Sequence, residues 1–450
     1  MTRQPRTPRV LTLALLAVAP LSGQVAVRNQ GYVPFSEEPI HYRSDNLSDP
    51  VARLQKQLDT GEATLDYDDR HGYLKSVLDK LHVPLSSQTL VFSKTSFQYK
   101  KISPETPRAL YFNDDVYVGQ VHDGKVIEFV SFDPTQGAIF YILDEKKAAK
   151  PVFQRAELDC TQCHVAAGTR GVPGVLLRSL TPTSTGTQAS QTSSFTTSQQ
   201  SAWRERFGGW YVTGTHGNQT HMGNLVRQGE SDLIDISKRF DAASLLTPHS
   251  DIVAQLVQAH QTQTHNLITL TNYQTRIALF AEAARNKAAG KDAVTTPLSN
   301  TARQQYETPA EELVRNLLFA NEAPLDGPVK GTSGYAEEVA ARGPRDSHGR
   351  SLRDFDLNTR IFRYPCSYLI YSEAFDALPS VAKEYICRRL LDVLTGREQG
   401  PEYARLSTED RRAVLEILLA TKPDLRDFYQ AASSNNQRTS NRQYTERNQK

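Results

Sequence analysis

Residues 109–143 read ALYFNDDVYVGQVHDGKVIEFVSFDPTQGAIFYIL, and the spacing of their apolar side chains decides the fold class. Those side chains recur with a period of two, which places them on one face of a strand. Ala109–Phe112, Val116–Val121, Val126–Phe132 and Ala138–Leu143 read as short strands, punctuated by Asn113-Asp114, Asp123-Gly124 and Asp133-Pro134. Asp123-Gly124 is a two-residue hairpin signal, because both central positions are expected at positive φ. Upstream, Leu90-Val91-Phe92 adds a further strand. Two helices lead: one from Asp49 to about Leu58, with Asp49 as N-cap and Pro50 at the first helical position, and one from Gly72 to Leu81. Residues 24–150 are therefore expected to form a β-rich N-terminal region.

Beyond it the period changes. Residues 151–228 are irregular and rich in glycine, and within them 181–201 is dominated by Ser, Thr and Gln. Such a composition offers little apolar surface against its ordering entropy, so a flexible loop is expected there. Residues 229–430 read as α-helical. Ser250 to Lys287 is one long helix or two abutting ones. Thr308-Pro309-Ala310-Glu311 reads as a capping box opening a helix to about Asn321. Pro379 to Thr395 is a helix stopped by Gly396, and Ser407-Thr408-Glu409-Asp410 opens another that Pro423 ends. Residues 431–450 are polar and expected to be disordered. The fold class is α+β, with an irregular segment between the β-rich and α-helical regions.

With 450 residues and 38% hydrophobic content, the chain can bury the core of two or three domains. Its 52 basic and 50 acidic residues give a net charge of +2, which provides no bulk field for nucleic acid or anionic lipid. Three of the basic residues, Arg3, Arg6 and Arg9, precede an apolar run from Val10 to Leu21 and then Ser22-Gly23-Gln24. That order is a secretory signal, expected over residues 1–23. The run is shorter than the roughly 18 apolar residues a membrane span needs. A periplasmic or secreted protein, without stable membrane insertion after signal cleavage, is the expectation.

The chemistry is concentrated in Cys160-Thr161-Gln162-Cys163-His164. This CxxCH is the attachment sequence of c-type haem. Two thiols three positions apart can both add to the vinyl groups on one porphyrin edge, and the next histidine then lies beneath the iron. A structural zinc site would need a second ligand pair, and Cys366 and Cys387 lie far away in sequence. A redox disulfide between Cys160 and Cys163 would leave His164 unused, and the motif does not read as set at a clear strand-to-helix junction. One covalent haem c is the cofactor expected, with Cys160 and Cys163 as attachments and His164 as proximal axial ligand.

The distal side is less determined. Met222 is the one methionine besides Met1, and it stands in His216-Gly217-Asn218-Gln219-Thr220-His221-Met222, just after Trp203, Phe207, Trp210 and Tyr211. Met222 is the candidate distal ligand, with His221 and His216 as alternatives and an open position also compatible. The aromatics could wall a porphyrin or simply anchor the core. His260 and His265 lie five apart on the long helix, a spacing that does not suit paired zinc ligands. His260 shares its face with Leu256, Val257 and Leu267 and reads as a core histidine. Cys366 and Cys387 could be bridged in an oxidising compartment. The sequence contains no phosphate-binding glycine loop, nucleophile elbow or metalloprotease helix.

Cys160 to His164 with a downstream Met222 resembles the monohaem c-type cytochromes and, more broadly, exported bacterial proteins with one cytochrome c domain inside a larger chain. The resemblance covers about residues 150–228. It implies electron transfer to a redox partner protein through an iron that cycles between two oxidation states. The alternative is a single-haem enzyme or sensor whose sixth iron position exchanges with peroxide or a small gas. The chain departs from small cytochromes c, which carry the motif near their own N-terminus on a leading helix. Here residues 24–150 precede it and 229–430 follow, and the resemblance says little about either.

Overall fold

The computed structural model describes residues 33–229, 232–292 and 296–431. The expected signal at 1–23 and all but the first residue of the expected tail at 431–450 lie outside the described residues.

Helix α1 (Pro50–Thr60) begins where Asp49 accepts from the amides of Val51 and Ala52, and ends on Gly61 at φ 79°. Helix α2 (Leu74–Lys80) follows. The chain then builds one six-stranded antiparallel sheet in sequence order: β1 (Thr89–Val91), β2 (Arg108–Phe112), β3 (Val116–Gln120), β4 (Val126–Asp133), β5 (Gly137–Asp144) and β6 (Gln154–Arg155). The long β4–β5 pair sets Phe129 opposite Tyr141 and Val130 opposite Phe140. Its turn is organised by Asp133, whose Oδ1 accepts from the amides of Thr135 and Gln136, both at 2.9 Å. In the β3–β4 turn the positive φ falls on Asp123 alone, at 55°. The hairpin with both central residues at positive φ is therefore not formed. Gly124 instead donates its amide to Val121 at 2.8 Å, a turn one residue earlier.

Alternation along the strands gives the sheet two buried faces. Tyr111, Val116, Val118, Ile127, Phe129, Ile139 and Tyr141 join the core that contains α1 and α2. Phe112, Tyr117, Phe132, Ala138 and Phe140 join the other core, built with helices from the second half of the chain. After β6 come α3 (Glu157–His164), the hairpin of β7 (Leu177–Leu180) and β8 (Ser194–Thr197), then β9 (Thr215–His216) and the hairpin of β10 (Leu225–Gln228) and β11 (Asp232–Asp235).

Strand β8 lies inside the stretch expected to be a flexible loop. Ala189, Thr197 and Gln199 of that stretch are buried, and Gln199 accepts at its carbonyl from the Ala323 amide (2.9 Å) and the Arg206 guanidinium (2.8 Å). Polar composition predicts a solvated loop only when the polar groups have no partners inside. Here the partners come from residues far away in sequence.

Helix α4 (Ile252–Ala288) matches the expected long helix. It is capped by Asp251, whose Oδ1 accepts from Val253 and Ala254. The other oxygen, Oδ2, accepts from the amides of Thr332 and Ser333 and from the Ser333 hydroxyl at 2.7–2.9 Å. One carboxylate thus starts the helix and ties down a loop eighty residues later. Helix α5 (Asn300–Leu317) is capped by Ser299, with Pro309 in its interior. The capping box expected at Thr308 is therefore not a helix start. The Thr308 hydroxyl donates back to the Gln304 carbonyl at 2.9 Å, and the ladder runs through the proline with the loss of one donor. The remaining elements are β12 (Val329–Lys330), paired with β9, then α6 (Tyr335–Ala340), α7 (Glu373–Asp376), α8 (Ser380–Leu394) and α9 (Thr408–Thr421). Helix α9 opens at Ser407 as expected, and there Ser407 and Asp410 cap it reciprocally. No helix among the described residues is long and apolar enough to cross a membrane.

From Ile252 to Tyr273 every residue of α4 is buried, polar ones included. His260 stacks on Phe319 with ring centroids 4.2 Å apart and meets the Ser367 hydroxyl at 2.7 Å. His265 stacks on Phe132 at 3.8 Å and donates to the Asp114 carbonyl at 2.8 Å. Burial lowers His260 to about 3 and His265 to about 4, so both are neutral in the folded protein. An unfolded histidine takes up its proton below about pH 6.5. Stability from this pair is therefore present at neutral pH and declines as pH falls from about 6.5 toward 4. A His260→Gln, His265→Gln variant lacks that term. Its deficit against the parent in urea unfolding is expected to be largest at pH 7 and to shrink as pH falls; a constant deficit would contradict the assignment.

Candidate functional site

Cys160, Thr161, Gln162, Cys163 and His164 are the last five residues of α3, which starts two residues after β6 ends. A short strand leads into α3, but the motif fills the C-terminal end of the helix and not the strand-to-helix junction, as the sequence reading has it. The thiols are placed badly for a reactive dithiol. They occupy the fourth and seventh helical positions, away from the N-terminal amides that would stabilise a thiolate. Burial pushes the Cys160 thiol up to about 12. Both cysteines are free, Cys160 half-buried and Cys163 exposed.

Helical geometry brings the motif's donors together. Residues three and four apart share a face, so Cys160, Cys163 and His164 lie on one side of α3. The helix buries none of its residues fully, and Leu158 is 70% exposed. His164 is the residue that is fixed. Its Nδ1 is 2.8 Å from the Gly174 carbonyl, and its own carbonyl accepts the Gly174 amide at 3.0 Å. Its ring lies 5.1 Å from that of Phe140 on β5. A carbonyl can only accept, so Nδ1 carries the proton and Nε2 keeps its lone pair. No hydrogen bond to Nε2 is formed among the described residues. Burial lowers the His164 pKa, which keeps the ring neutral and able to ligate.

Gly174 is held in turn from the core. Asn266 on α4 donates to the Val175 carbonyl at 2.7 Å and accepts the Val175 amide at 3.0 Å. This pairing mimics a strand ladder and fixes the segment that holds the imidazole. A half-buried ion pair, Arg108 with Glu128, joins β2 to β4 beside Cys160 and His164. Glu128 also accepts from Ser96 (2.7 Å) and Gln98 (2.9 Å).

The distal candidates form a second group. The rings of His216 and His221 are 4.6 Å apart, and His221 packs edge-on to Phe207 at 5.5 Å. His221 Nδ1 accepts the Gly223 amide at 3.1 Å, and burial with the neighbouring His216 lowers its pKa to about 4. The Met222 amide donates to the Arg206 carbonyl at 3.0 Å. Among the described residues no hydrogen bond or ring contact joins this group to His164. Trp203, Phe207 and Trp210 are buried in the core, and Trp210 donates from Nε1 to the Arg178 carbonyl at 2.8 Å; they are anchors of the fold. Cys366 and Cys387 are buried free thiols.

Sequence reading located the thiols and the imidazole but missed Gly174, Asn266 and the Arg108–Glu128 pair. Pro173-Gly174, ten residues past the histidine, was a usable turn signal. Asn266 left none, because an amide on a long helix looks like a surface residue. No protein-family profile, curated protein or solved structure matches the chain.

A methyl group at position 174 would lie 2.2 Å from Asn266 Oδ1. Gly174→Ala is expected to cost about 3 kcal/mol through overpacking and loss of a buried amide pair, read from denaturant unfolding. Asn266→Ala removes the clash, so the double variant should lose less than the sum of the singles. Additive losses would show that the two residues do not act on each other.

Proposed function

We propose that this chain is an exported c-type cytochrome, with one haem attached through Cys160 and Cys163, and that it passes electrons to a redox partner protein. The observation that carries the reading is the placement of the three donors on one face of α3, with His164 Nδ1 on the Gly174 carbonyl. That hydrogen bond leaves Nε2 as the ligating atom and makes it more basic.

The residues fit such a group in chemistry as well as placement. Each free thiol adds its sulfur and its hydrogen across one vinyl double bond, which needs reduced cysteines and no oxidant. Gly174, Val175 and Asn266 hold the proximal imidazole in one tautomer and one orientation. A bound c-type haem supplies one-electron chemistry, its iron alternating between two oxidation states. Arg108 and Glu128 place a fixed, mutually neutralising charge pair beside the attachment face.

Met222 is the distal ligand in this reading, with His221 and His216 as alternatives. The alternative reading is a single-haem enzyme or sensor whose sixth iron position exchanges.

Replacing Cys160 and Cys163 together by Ser is expected to abolish haem staining that survives denaturing electrophoresis; undiminished staining would overturn the proposal. In the parent protein a low-spin spectrum indifferent to carbon monoxide, with a sulfur-to-iron band lost in Met222→Ala, supports electron transfer. A high-spin spectrum that shifts with carbon monoxide selects the enzyme or sensor.

A further inference from the structure

The connection between β1 and β2 carries the clearest unpartnered surface of the described chain. Within residues 94–101 Phe97 is 56% and Tyr99 47% exposed, and Lys100 and Lys101 are exposed beside them. Lys94 opens the same segment. Lys125 is brought to it by its amide, which donates to Gln98 Oε1 at 2.9 Å. None of these four lysines forms an ion pair among the described residues. Nearby carboxylates are engaged: Glu128 with Arg108 and Glu105 with Arg239. Asp123, 3.8 Å from His122, and Asp144 and Glu145, which lie beside Lys125 across the β4–β5 pair, are the opposing charges at this end of the sheet.

The segment is nevertheless well built. Gln98 spans it, donating from Nε2 to the Val126 carbonyl (3.1 Å) and Glu128 (2.9 Å). Tyr99–Lys101 is a single 3-10 turn, and Lys94 donates its amide to the Gly186 carbonyl at 3.0 Å. Two large aromatics and a set of free ammonium groups are therefore presented on an anchored loop.

We propose that this loop docks the protein reversibly on an anionic phospholipid surface. Two arguments favour lipid over an acidic protein. Every free cation of the loop is a lysine, and lysine is depleted in protein interfaces, where arginine is enriched. Lysines beside exposed aromatics instead match the interfacial zone of a bilayer, where rings sit at headgroup level and ammonium groups meet lipid phosphates. The near-neutral net charge of the whole chain does not oppose this, since screening limits the attraction to charges near the surface. The inference is independent of the haem proposal.

The test is co-sedimentation of the full-length protein with vesicles of phosphatidylcholine alone or mixed with phosphatidylglycerol. Binding is expected only to the mixed vesicles and should be released by salt. Lys100→Gln with Lys101→Gln should weaken it by about fivefold for each lysine, and Phe97→Ser with Tyr99→Ser should also lower it. Lys287→Gln with Lys291→Gln, the same charge change at the end of α4, should leave it unchanged. All substituted side chains are exposed, and unaltered thermal unfolding verifies that each variant is folded. Absence of vesicle binding overturns the proposal, as does binding that the control weakens as much as the loop variants. Retention on an immobilised polyglutamate column without vesicle binding would assign the loop to an acidic protein and equally overturn it.

Discussion

A helix whose first six turns are shut off from water must find an internal partner for each polar side chain it carries. Helix α4 meets most of that constraint with amides, hydroxyls and imidazoles set beside its apolar residues, leaving Gln263 Nε2 and His265 Nδ1 without a partner among the described residues. Gln255 donates to the Tyr211 carbonyl (2.7 Å), Gln261 to the Asn113 carbonyl (2.7 Å), Thr264 to Asn316 (2.7 Å), and Tyr273 to the Gln136 carbonyl (2.7 Å). Each buried donor left without an acceptor would cost about 1–3 kcal/mol. The sheet turns, the β7 segment and the C-terminal helices are consequently located by the side chains of one helix.

That arrangement places the CxxCH segment in a particular mechanical setting. Helix α3 lies at the sheet edge with few buried contacts of its own. The imidazole at its end, by contrast, is referred through Gly174 and Val175 to Asn266 in the middle of α4. The thiol side can therefore be open while the imidazole side is rigid, a division that suits the proposed haem attachment.

Much of the architecture was legible because it depends on local period. The strands at 108–144 and the cap at Asp49 appear where alternation and capping chemistry put them. So does the helical stretch from 252, which the structure resolves into one helix where the sequence left one or two open. What failed were features decided by distant partners. Residues 181–201 looked too polar to order, yet Gln199 is fully buried between Arg206, His260 and Ala323. Thr308-Pro309 looked like a helix start, yet Ser299 had already begun the helix. In the candidate site the thiols and the imidazole were visible as a spaced motif. The carbonyl that orients the imidazole, and the amide behind that carbonyl, are a turn and a helix residue with no spacing rule to betray them.

The density of long-range bonds on α4 also bears on how the chain reaches its native state. Its partners run from Pro39 to Ala377, so no short piece of the sequence can satisfy the helix by itself. Loop closure across such separations must precede the contacts that reward it, which slows folding. Until residues near 367 are in place, α4 is a long segment of unmatched amides facing either water or the wrong neighbours. The transition state should therefore gather around this helix late, and unfolding should release the sheet and the C-terminal helices in one cooperative step rather than as separable pieces.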